Sequence, residues 1–369
     1  MRYRRMPIEV ESPEQLGYGN IECNLAESSV SDGLFSQLGL KLDDLVLMYG
    51  DHLGKPELRA MIAGEGPLLH AEDVLLTVGA AAALFIVSTS LLEAGDRALV
   101  VFPNYATNIE TPRQLGCQMD YFQLSFEGGF RIDVDALIAR ITPETKLVSV
   151  TCPHNPTGTM ISENDLHRLV EAVENRGCRL LFDETYREMS FGTVLPPAAS
   201  LSQRVISVSS LSKTYGLPGI RTGWILCRDR SLMETFLAAK EQIFISNSVV
   251  DEEIAYQFLS RKAEHLERIR AHIDTNFGIL KAWMGEQTDY EWVEPQGGVV
   301  CFPRIKPESG VDVEKFYSIL NTVYKTWVGP GHWFESDRRH MRVGFGWPTA
   351  DELTRGLNNI TQALLAAKD

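Results

Sequence analysis

Lysine, serine and arginine side chains cluster directly after one apolar run of the sequence. Lys213 follows RVISVSS (204–210) in a turn rich in serine, glycine and proline. A lysine at the carboxyl edge of a parallel sheet, where open α/β folds bind ligands, can have a lowered pKa and form a Schiff base. Ser210, Ser212 and Arg221 offer hydroxyl and guanidinium donors that suit a phosphate. The alternative is a solvated lysine in a surface loop.

Two other apolar runs also end in polar residues. RLLFD (179–183) ends in Asp183, and Tyr186 follows it. If Asp183 points into the same crevice, it is a buried carboxylate that needs a cation such as a protonated pyridine nitrogen; otherwise it is an ordinary turn or cap aspartate. Asn155, in the turn PHNPTGT (153–159), could donate its amide to a ligand oxygen or simply form a tight strand-to-helix turn.

The elements that must position these residues are short apolar strands separated by helix-length segments. The runs VLLTV (74–78), ALVVF (98–102), KLVSVT (146–151) and GWILC (223–227) are almost continuously apolar. Such runs are typical of strands buried on both faces, and their alternation with helices predicts βαβ units and a mostly parallel sheet. Helix-opening capping pairs are predicted at Ser162 with Asp165, Ser231 with Glu234, and Thr349 with Glu352.

The pattern changes after about residue 250. Apolar residues recur at helical spacing over 251–285, which predicts one long interdomain helix. VVCFP (299–303) and MRVGFG (341–346) predict strands, and a last helix follows them. The carboxyl-terminal third is therefore expected to build a smaller α+β domain.

Taken together, NPTG, D-x-x-Y and S-x-S-K with an arginine eight residues later resemble the class I/II aminotransferases, which are fold-type I pyridoxal-phosphate enzymes. The resemblance extends from about Asn24 to the final helix. It implies pyridoxal 5′-phosphate as the cofactor, with Lys213 as the Schiff-base lysine and the proton shuttle. It also implies that Asp183 pairs with the pyridinium nitrogen, that Tyr186 and Asn155 donate to the ring O3′, and that Ser210 and Arg221 bind the phosphate.

The same resemblance extends to other segments. LTVGAAAAL (76–84) matches the phosphate-binding turn at Gly79, Ala80 and Ala81, where small residues let the start of a helix approach the phosphate. Tyr105, in FPNYATN (102–108), corresponds to the catalytic-site aromatic over the pyridine ring.

Two residues are implied to act at the ends of the site. Tyr49 would reach the phosphate of the neighbouring subunit, which implies a homodimer with shared sites. Arg342, beside Asn155, would clamp the substrate α-carboxylate, since a planar guanidinium suits a bidentate carboxylate.

One segment departs from the family pattern. The run NLAESSV (24–30) has Glu27 and Ser28 where a glycine-rich strand that approaches the substrate is usual. Glu27 is either a solvated acid or a substrate-facing group that favours a distal cation. The phosphate turn GAAA has no polar or basic side chain, so a dicarboxylate preference gets no support.

The resemblance implies an α/β fold with a large domain, whose mostly parallel sheet of the seven-stranded type is covered by helices, and a smaller α+β domain. The expected bounds are 46–255 for the large domain, and 1–45 with 256–369 for the small one. The expected activity is transfer of an α-amino group from an amino acid to a keto acid. The alternatives are lyase, decarboxylase, cyclase or oxidase chemistry on amino acids. A ligand sensor fused to a DNA-binding module is disfavoured, because too few residues precede the core.

Composition agrees with this interpretation. The 369 residues include 35 Lys and Arg against 49 Asp and Glu, which gives a net charge of −14. Nucleic acid and anionic membranes are therefore not expected as partners. The amino terminus lacks an apolar signal region, and the scattered cysteines form no CxxC pair. We expect a reduced cytoplasmic protein without a structural metal.

Overall fold

The structure is a computed structural model that describes residues 3–368; residues 1, 2 and 369 of the predicted small domain lie outside it. The α-helices are α1 (Pro7–Glu11), α2 (Pro13–Leu16), α3 (Pro56–Ala63), α4 (Gly79–Leu91), α5 (Ala106–Leu115), α6 (Val134–Ala139), α7 (Glu163–Arg176), α8 (Arg230–Ile243), α9 (Val249–Leu259), α10 (Lys262–Glu286), α11 (Val313–Thr322) and α12 (Ala350–Ala366). The strands are β1 (Cys23–Asn24), β2 (Val74–Val78), β3 (Arg97–Phe102), β4 (Gln118–Gln123), β5 (Thr145–Thr151), β6 (Arg179–Asp183), β7 (Val205–Ser210), β8 (Thr222–Cys227), β9 (Tyr290–Glu291), β10 (Val300–Cys301), β11 (Arg304–Ile305), β12 (Thr326–Trp327), β13 (Gly329–Pro330) and β14 (Met341–Gly344).

A seven-stranded sheet in the order β2-β8-β7-β6-β5-β3-β4 forms the centre of the molecule. Strand β8 is antiparallel to both of its neighbours, and the other pairs are parallel. The predicted α/β fold with a mostly parallel sheet is thus confirmed. Because β8 runs the opposite way, its amino end lies at the edge where the other six strands have their carboxyl ends.

Successive residues of the central strands serve two different cores. Leu180 and Phe182 of β6 pack in one apolar cluster with Leu166 of α7. Leu181, between them, packs in another cluster with Leu84 of α4 and with residues of α8. Side chains alternate across a sheet, so a strand covered by helices on both faces must be apolar throughout. This explains the continuous apolar runs.

Two of the three predicted capping pairs are confirmed. The Ser162 hydroxyl accepts from the amide of Asp165 at 3.1 Å, and Thr349 accepts from Glu352 at 3.2 Å. The pair at Ser231 is wrong: Asp229 caps α8 by accepting from the amide of Leu232. Aspartate is as good a cap as serine, and it comes earlier in the chain.

The predicted single helix over 251–285 is also wrong, because α9 ends at Leu259 and α10 begins at Lys262. Arg261, in the break, donates its guanidinium to the carbonyl of Leu38. The Ser260 hydroxyl donates to the carbonyl of Tyr256 at 2.7 Å. The break is so short that the apolar spacing continues across it, which is why the pattern indicates one helix.

Small sheets and helices from the carboxyl-terminal third surround one side of the large sheet. Strand β14 lies between β10 and β13, and β9 pairs with β11. The amino-terminal β1 pairs in parallel with β12, with Cys23 opposite Thr326. The predicted domain boundary at residue 255 falls within α9; the division into two domains stays a prediction. No helix within residues 3–368 is long and apolar enough to cross a membrane.

Candidate active site

The carboxyl edge of the central sheet gathers the polar residues that the sequence singles out. Asp183 is the last residue of β6, Ser210 is the last of β7, and Gly79 follows β2. Arg221 immediately precedes β8, whose amino end is at this same edge. Neighbouring strands thus bring together segments that are far apart in the chain, at the position where open α/β sheets bind ligands.

A cavity of about 510 Å³ opens at this edge. Its lining includes most of the predicted site residues: Glu27, Ser28, Ala80, Ala81, Tyr105, Asn155, Asp183, Tyr186, Ser210, Lys213, Arg221 and Arg342. Gly79 lies just outside this lining, beneath Arg221. Tyr49 is 81% exposed in the single chain and is not among the lining residues. Its role at a neighbouring subunit stays a prediction.

Asp183 is a buried carboxylate that is held by neutral donors. Its Oδ1 accepts from the Thr185 hydroxyl at 2.7 Å, and its Oδ2 accepts from the Asn108 amide at 3.2 Å. Among residues 3–368 it has no ion-pair partner. Burial raises the pKa of Asp183, and these hydrogen bonds lower it by a smaller amount. A buried carboxylate without a cation is a ready partner for a protonated ring nitrogen.

The Lys213 side chain points into the same cavity. Burial lowers the pKa of its ammonium below the ordinary lysine value, and nearby Glu27 counteracts this only in part. The backbone carbonyl of Lys213 accepts from the amide of Val30 at 3.0 Å, which holds the turn against the amino-terminal segment. A desolvated lysine with a lowered pKa is more readily the neutral nucleophile that Schiff-base formation requires.

One end of the cavity collects donors for an anion. Helix α4 begins at Gly79, and its first amides have no partner within the helix. A Cβ at Gly79 would lie 2.5 Å from Nη2 of Arg221, and one at Gly223 would lie 2.7 Å from the amide nitrogen of Ala80. The two glycines therefore permit the close approach. Arg221 donates to the Ser212 hydroxyl at 3.3 Å, so hydroxyl, guanidinium and helix terminus converge as a phosphate requires.

The lining also includes Arg342, which is only 3% exposed. It donates to the carbonyl of Ala26 at 2.7 Å and to Oδ1 of Asn155 at 3.2 Å. Its Nε is buried without a partner among the described residues. The bond from Arg342 occupies the amide oxygen of Asn155 and leaves the amide NH₂ group as a donor. Arg342 can therefore bind a carboxylate while it orients Asn155.

Tyr105 and Tyr186 also line the cavity. The Tyr186 hydroxyl donates to the carbonyl of Ser28 at 2.7 Å, and burial raises its pKa to about 12. Tyr105 precedes α5, and burial raises its pKa as well. Both phenols are thus neutral donors at physiological pH. The roles predicted for them, at O3′ and over the ring, remain predictions.

The segment of Glu27 and Ser28, which differs from the family pattern, also lines the cavity. Glu27 is half-buried, and its Oε1 accepts from the Tyr18 hydroxyl at 3.1 Å. Ser28 is buried, with its carbonyl bound by Tyr186. A Cβ on Gly344 of β14 would lie 1.9 Å from the carbonyl oxygen of Glu27, so this backbone is tightly packed against the strand of Arg342. Of the two interpretations of Glu27, the placement favours the cavity-facing one.

Several residues of the site are absent from the sequence-based prediction. The Asn104 Oδ1 accepts from Thr151 at 2.9 Å and from Asn108 at 3.1 Å, which extends the network below Asp183. The i, i+4 spacing of Asn104 and Asn108 beside Tyr105 was the available signal. Glu9, Glu14, Tyr18 and Asp32 also line the cavity, and nothing in their spacing indicates this.

The residues present fit pyridoxal phosphate. Asp183 lacks a cation, the first turn of α4 with Arg221 suits the phosphate, and Lys213 lines the same cavity. Small side chains at Ala80 and Ala81 leave the helix terminus accessible. Among residues 3–368, no group of three or more His, Cys, Asp or Glu side chains is arranged to hold a metal ion.

Similarity to known proteins agrees with this geometry. The sequence shares 30% identity with capreomycidine synthase of Streptomyces vinaceus, over 88% of this chain and 82% of that protein. It shares 27% identity with the arginine–pyruvate transaminase AruH of Pseudomonas aeruginosa, over 80% of this chain and 77% of that one. The solved PLP-dependent cyclase OrfR superposes with a TM-score of 0.90 at 26% identity, over 99% of this chain and 98% of that chain. The profile of aminotransferase class I and II matches residues 39–360, and the chain is a pyridoxal-phosphate-dependent member of that family.

Proposed function

We propose that the protein is an aminotransferase, which moves the α-amino group of an amino acid to a keto acid. The observation on which this depends is the one cavity that Lys213, Asp183 and Arg342 line together. The transaminase AruH among its relatives supports the same reaction type. Because that relative is named for arginine, a cationic amino acid is a candidate donor.

The chain's own residues divide the work among three positions. Arg342 holds the substrate carboxylate with its free Nε and a neighbouring nitrogen, and Asn155 is oriented beside it. Lys213, tethered next to the substrate, removes the proton from the α-carbon and later returns a proton, which is a proximity effect. Asp183, buried without a cation of its own among the described residues, would hold the positive charge of a protonated ring nitrogen. Pyridoxal phosphate, when bound, supplies the electron sink for the α-carbon electron pair.

A second reaction has a specific observation in its favour. The structure of the OrfR cyclase matches almost the whole chain with a TM-score of 0.90. A cyclase shares the first half of the work, namely substrate binding and removal of the α-proton, and differs in where the electrons go next. The residues described above therefore serve both reactions, and the need for an amino acceptor distinguishes them.

The test is a count of turnovers without an acceptor. The purified holoenzyme is mixed with a panel of excess amino acids, and keto acid, ammonia and ring-closed products are quantified per active site. A transaminase forms one keto acid per site and continues only after a second keto acid is added. Continued turnover without an acceptor would contradict transamination and favour the cyclase or another of the alternatives.

A pair of lysine variants ties the result to this cavity. Lys213→Ala removes the cavity lysine and is expected to abolish both the visible absorbance of the Schiff base and the half-reaction. Lys315→Ala removes an exposed lysine of α11 and is the matched control with unchanged activity. Full activity in Lys213→Ala would contradict the assignment of the site.

A further inference from the structure

The cavity contains more negative charge than the proposed reaction uses. Its cations are Lys213, Arg221 and Arg342, and the proposed function already assigns them to the Schiff base, the phosphate and the carboxylate, respectively. Of its carboxylates, Asp183 pairs with the ring. Four others remain unassigned, and all come from the amino-terminal segment: Glu9, Glu14, Glu27 and Asp32.

None of these four carboxylates forms an ion pair with a cation among residues 3–368. Glu27 and Glu14 oppose the lowering of the pKa that burial causes at Lys213 and at Arg342, so their charge acts across the same cavity. Like charges gathered at one site repel each other, and a bound cation relieves that repulsion.

Aromatic side chains hold two of the acids in place. Tyr18 donates to Glu27 at 3.1 Å, and Trp347 donates through its indole nitrogen to Asp32 at 3.3 Å. The rings of Tyr18 and Trp347 are stacked, with centroids 6.2 Å apart and planes within 10°. This acidic-aromatic cluster (Glu27, Tyr18, Trp347, Asp32) combines carboxylates with π-faces, and both attract an organic cation.

An independent observation points to an anionic group of the ligand in the same cavity. Arg342 is buried, lines the cavity, and has an Nε without a partner among the described residues. Such a group suits an anion, and the α-carboxylate of an amino acid supplies one. The side chain of that amino acid then shares the cavity with the unassigned acids.

We propose that the substrate is an amino acid with a cationic end group on its side chain, and that Glu27 with the rest of the acidic-aromatic cluster and Glu14 binds that group. This inference rests on the proposed function and specifies its substrate. A guanidinium fits better than an ammonium, because it is planar, can donate to two carboxylates at once, and stacks on aromatic faces.

The test compares charged with uncharged side chains of similar length in the half-reaction of the holoenzyme. L-arginine is compared with L-citrulline, which replaces the guanidinium by a neutral urea, and L-lysine is compared with L-norleucine. One charge-assisted contact corresponds to about a tenfold effect or more. We therefore expect kcat/KM for L-arginine to exceed that for L-citrulline by at least about 100-fold, and the ratio to fall as ionic strength rises.

Two variants connect the preference with the acids. Glu27→Gln is expected to lower the arginine-to-citrulline ratio by about tenfold, and Glu14→Gln to lower it in the same direction. The control Glu22→Gln removes an exposed acid outside the cavity and leaves the ratio unchanged. Dissociation constants of both amino acids, measured by spectral titration, provide a second readout.

The outcomes separate this inference from the proposed function. If L-alanine or L-citrulline reacts as efficiently as L-arginine, the enzyme is a transaminase without cation selectivity, and the inference is overturned. If the arginine preference survives unchanged in both Glu27→Gln and Glu14→Gln, other groups bind the side chain, and the inference is overturned as well. If no amino acid reacts at all, the proposed function fails, and the dissociation constants decide the inference: equal values for L-arginine and L-citrulline overturn it.

Discussion

Replacing Gly79 by alanine tests the phosphate end of the site. The backbone of Gly79 has φ +75°, and an added Cβ would lie 2.5 Å from Nη2 of Arg221, although ordinary contact begins at 3.4 Å. The guanidinium must therefore move by about 1 Å. A displacement of that size can weaken the effect of a precisely positioned group by about 10²-fold. Because Arg221 is flexible at its far end, the move costs little folding energy. We therefore expect the substitution to weaken binding of the cofactor phosphate rather than folding.

Gly177 provides the matched control. It has φ +72° at the end of α7, and a Cβ there would meet nothing within 4 Å. Both Gly79→Ala and Gly177→Ala place an L-residue in left-handed backbone, which costs about 1 to 2 kcal/mol of the free energy of unfolding. The two apoproteins should thus lose similar stability in urea titrations. Only Gly79→Ala should also disturb Arg221.

The assay compares two ligands of each apoprotein by fluorescence titration. Pyridoxal phosphate and pyridoxal differ only in the phosphate, so the ratio of their dissociation constants isolates the phosphate contribution. Displacing a charge-assisted donor costs about 1.5 to 3 kcal/mol, or about 10- to 100-fold in that ratio. Gly177→Ala should keep the wild-type ratio. If Gly79→Ala keeps it too, Arg221 does not bind the phosphate and the reasoning is refuted.

Two further changes test the turn 153–159, in which His154 precedes Asn155, and the role proposed for Arg342. Burial between Thr157 and the carbonyl of Pro103 lowers the pKa of His154 to about 4 from 6.5, so the unfolded chain binds more protons than the folded one between these values. The contribution of His154 to the free energy of unfolding should be fully present above pH 6.5 and should fall by about 3 kcal/mol toward pH 4. In urea titrations, the free energy of unfolding of His154→Gln should fall less over this pH range than that of the wild type. An identical pH profile would contradict the lowered pKa of His154. Arg342→Lys loses the planar fork and should lower kcat/KM for an α-amino acid, relative to its decarboxylated amine, by about 10- to 100-fold; an unchanged ratio would exclude Arg342 as the carboxylate ligand.

The sequence predicts the central sheet well because local pattern and burial agree there. Strands covered on both faces are continuously apolar, and their polar ends mark the sheet edge where Asp183 and Ser210 lie. Short segments that follow strands, such as those of Asn155 and Lys213, therefore fall into place once the order of strands is known. The grouping of these residues in one cavity follows from topology rather than from spacing.

The parts that the sequence does not predict depend on contacts between distant segments. The amino-terminal helix α1 is held near the cavity by Glu11, which accepts from the indole of Trp333 at 2.7 Å. Nothing local to Glu9 or Glu14 indicates that contact. The break before α10 likewise depends on Arg261 and the carbonyl of Leu38, more than 200 residues away in the chain. Periodicity reports which face of a helix is apolar, but it does not report where a long-range partner interrupts it.

The amino-terminal segment links recognition of the two ends of the substrate. Arg342 donates to the carbonyl of Ala26, and the amide of Gly344 donates to the carbonyl of Leu25 at 2.8 Å. Glu27, which follows Ala26 in the chain, bears one of the unassigned carboxylates. The backbone that fixes the arginine proposed to bind the carboxylate thus also fixes an acid proposed to bind the side chain. The separation of the two groups is set by packing against β14, so an enzyme built this way selects for the length of the substrate as well as for its charge.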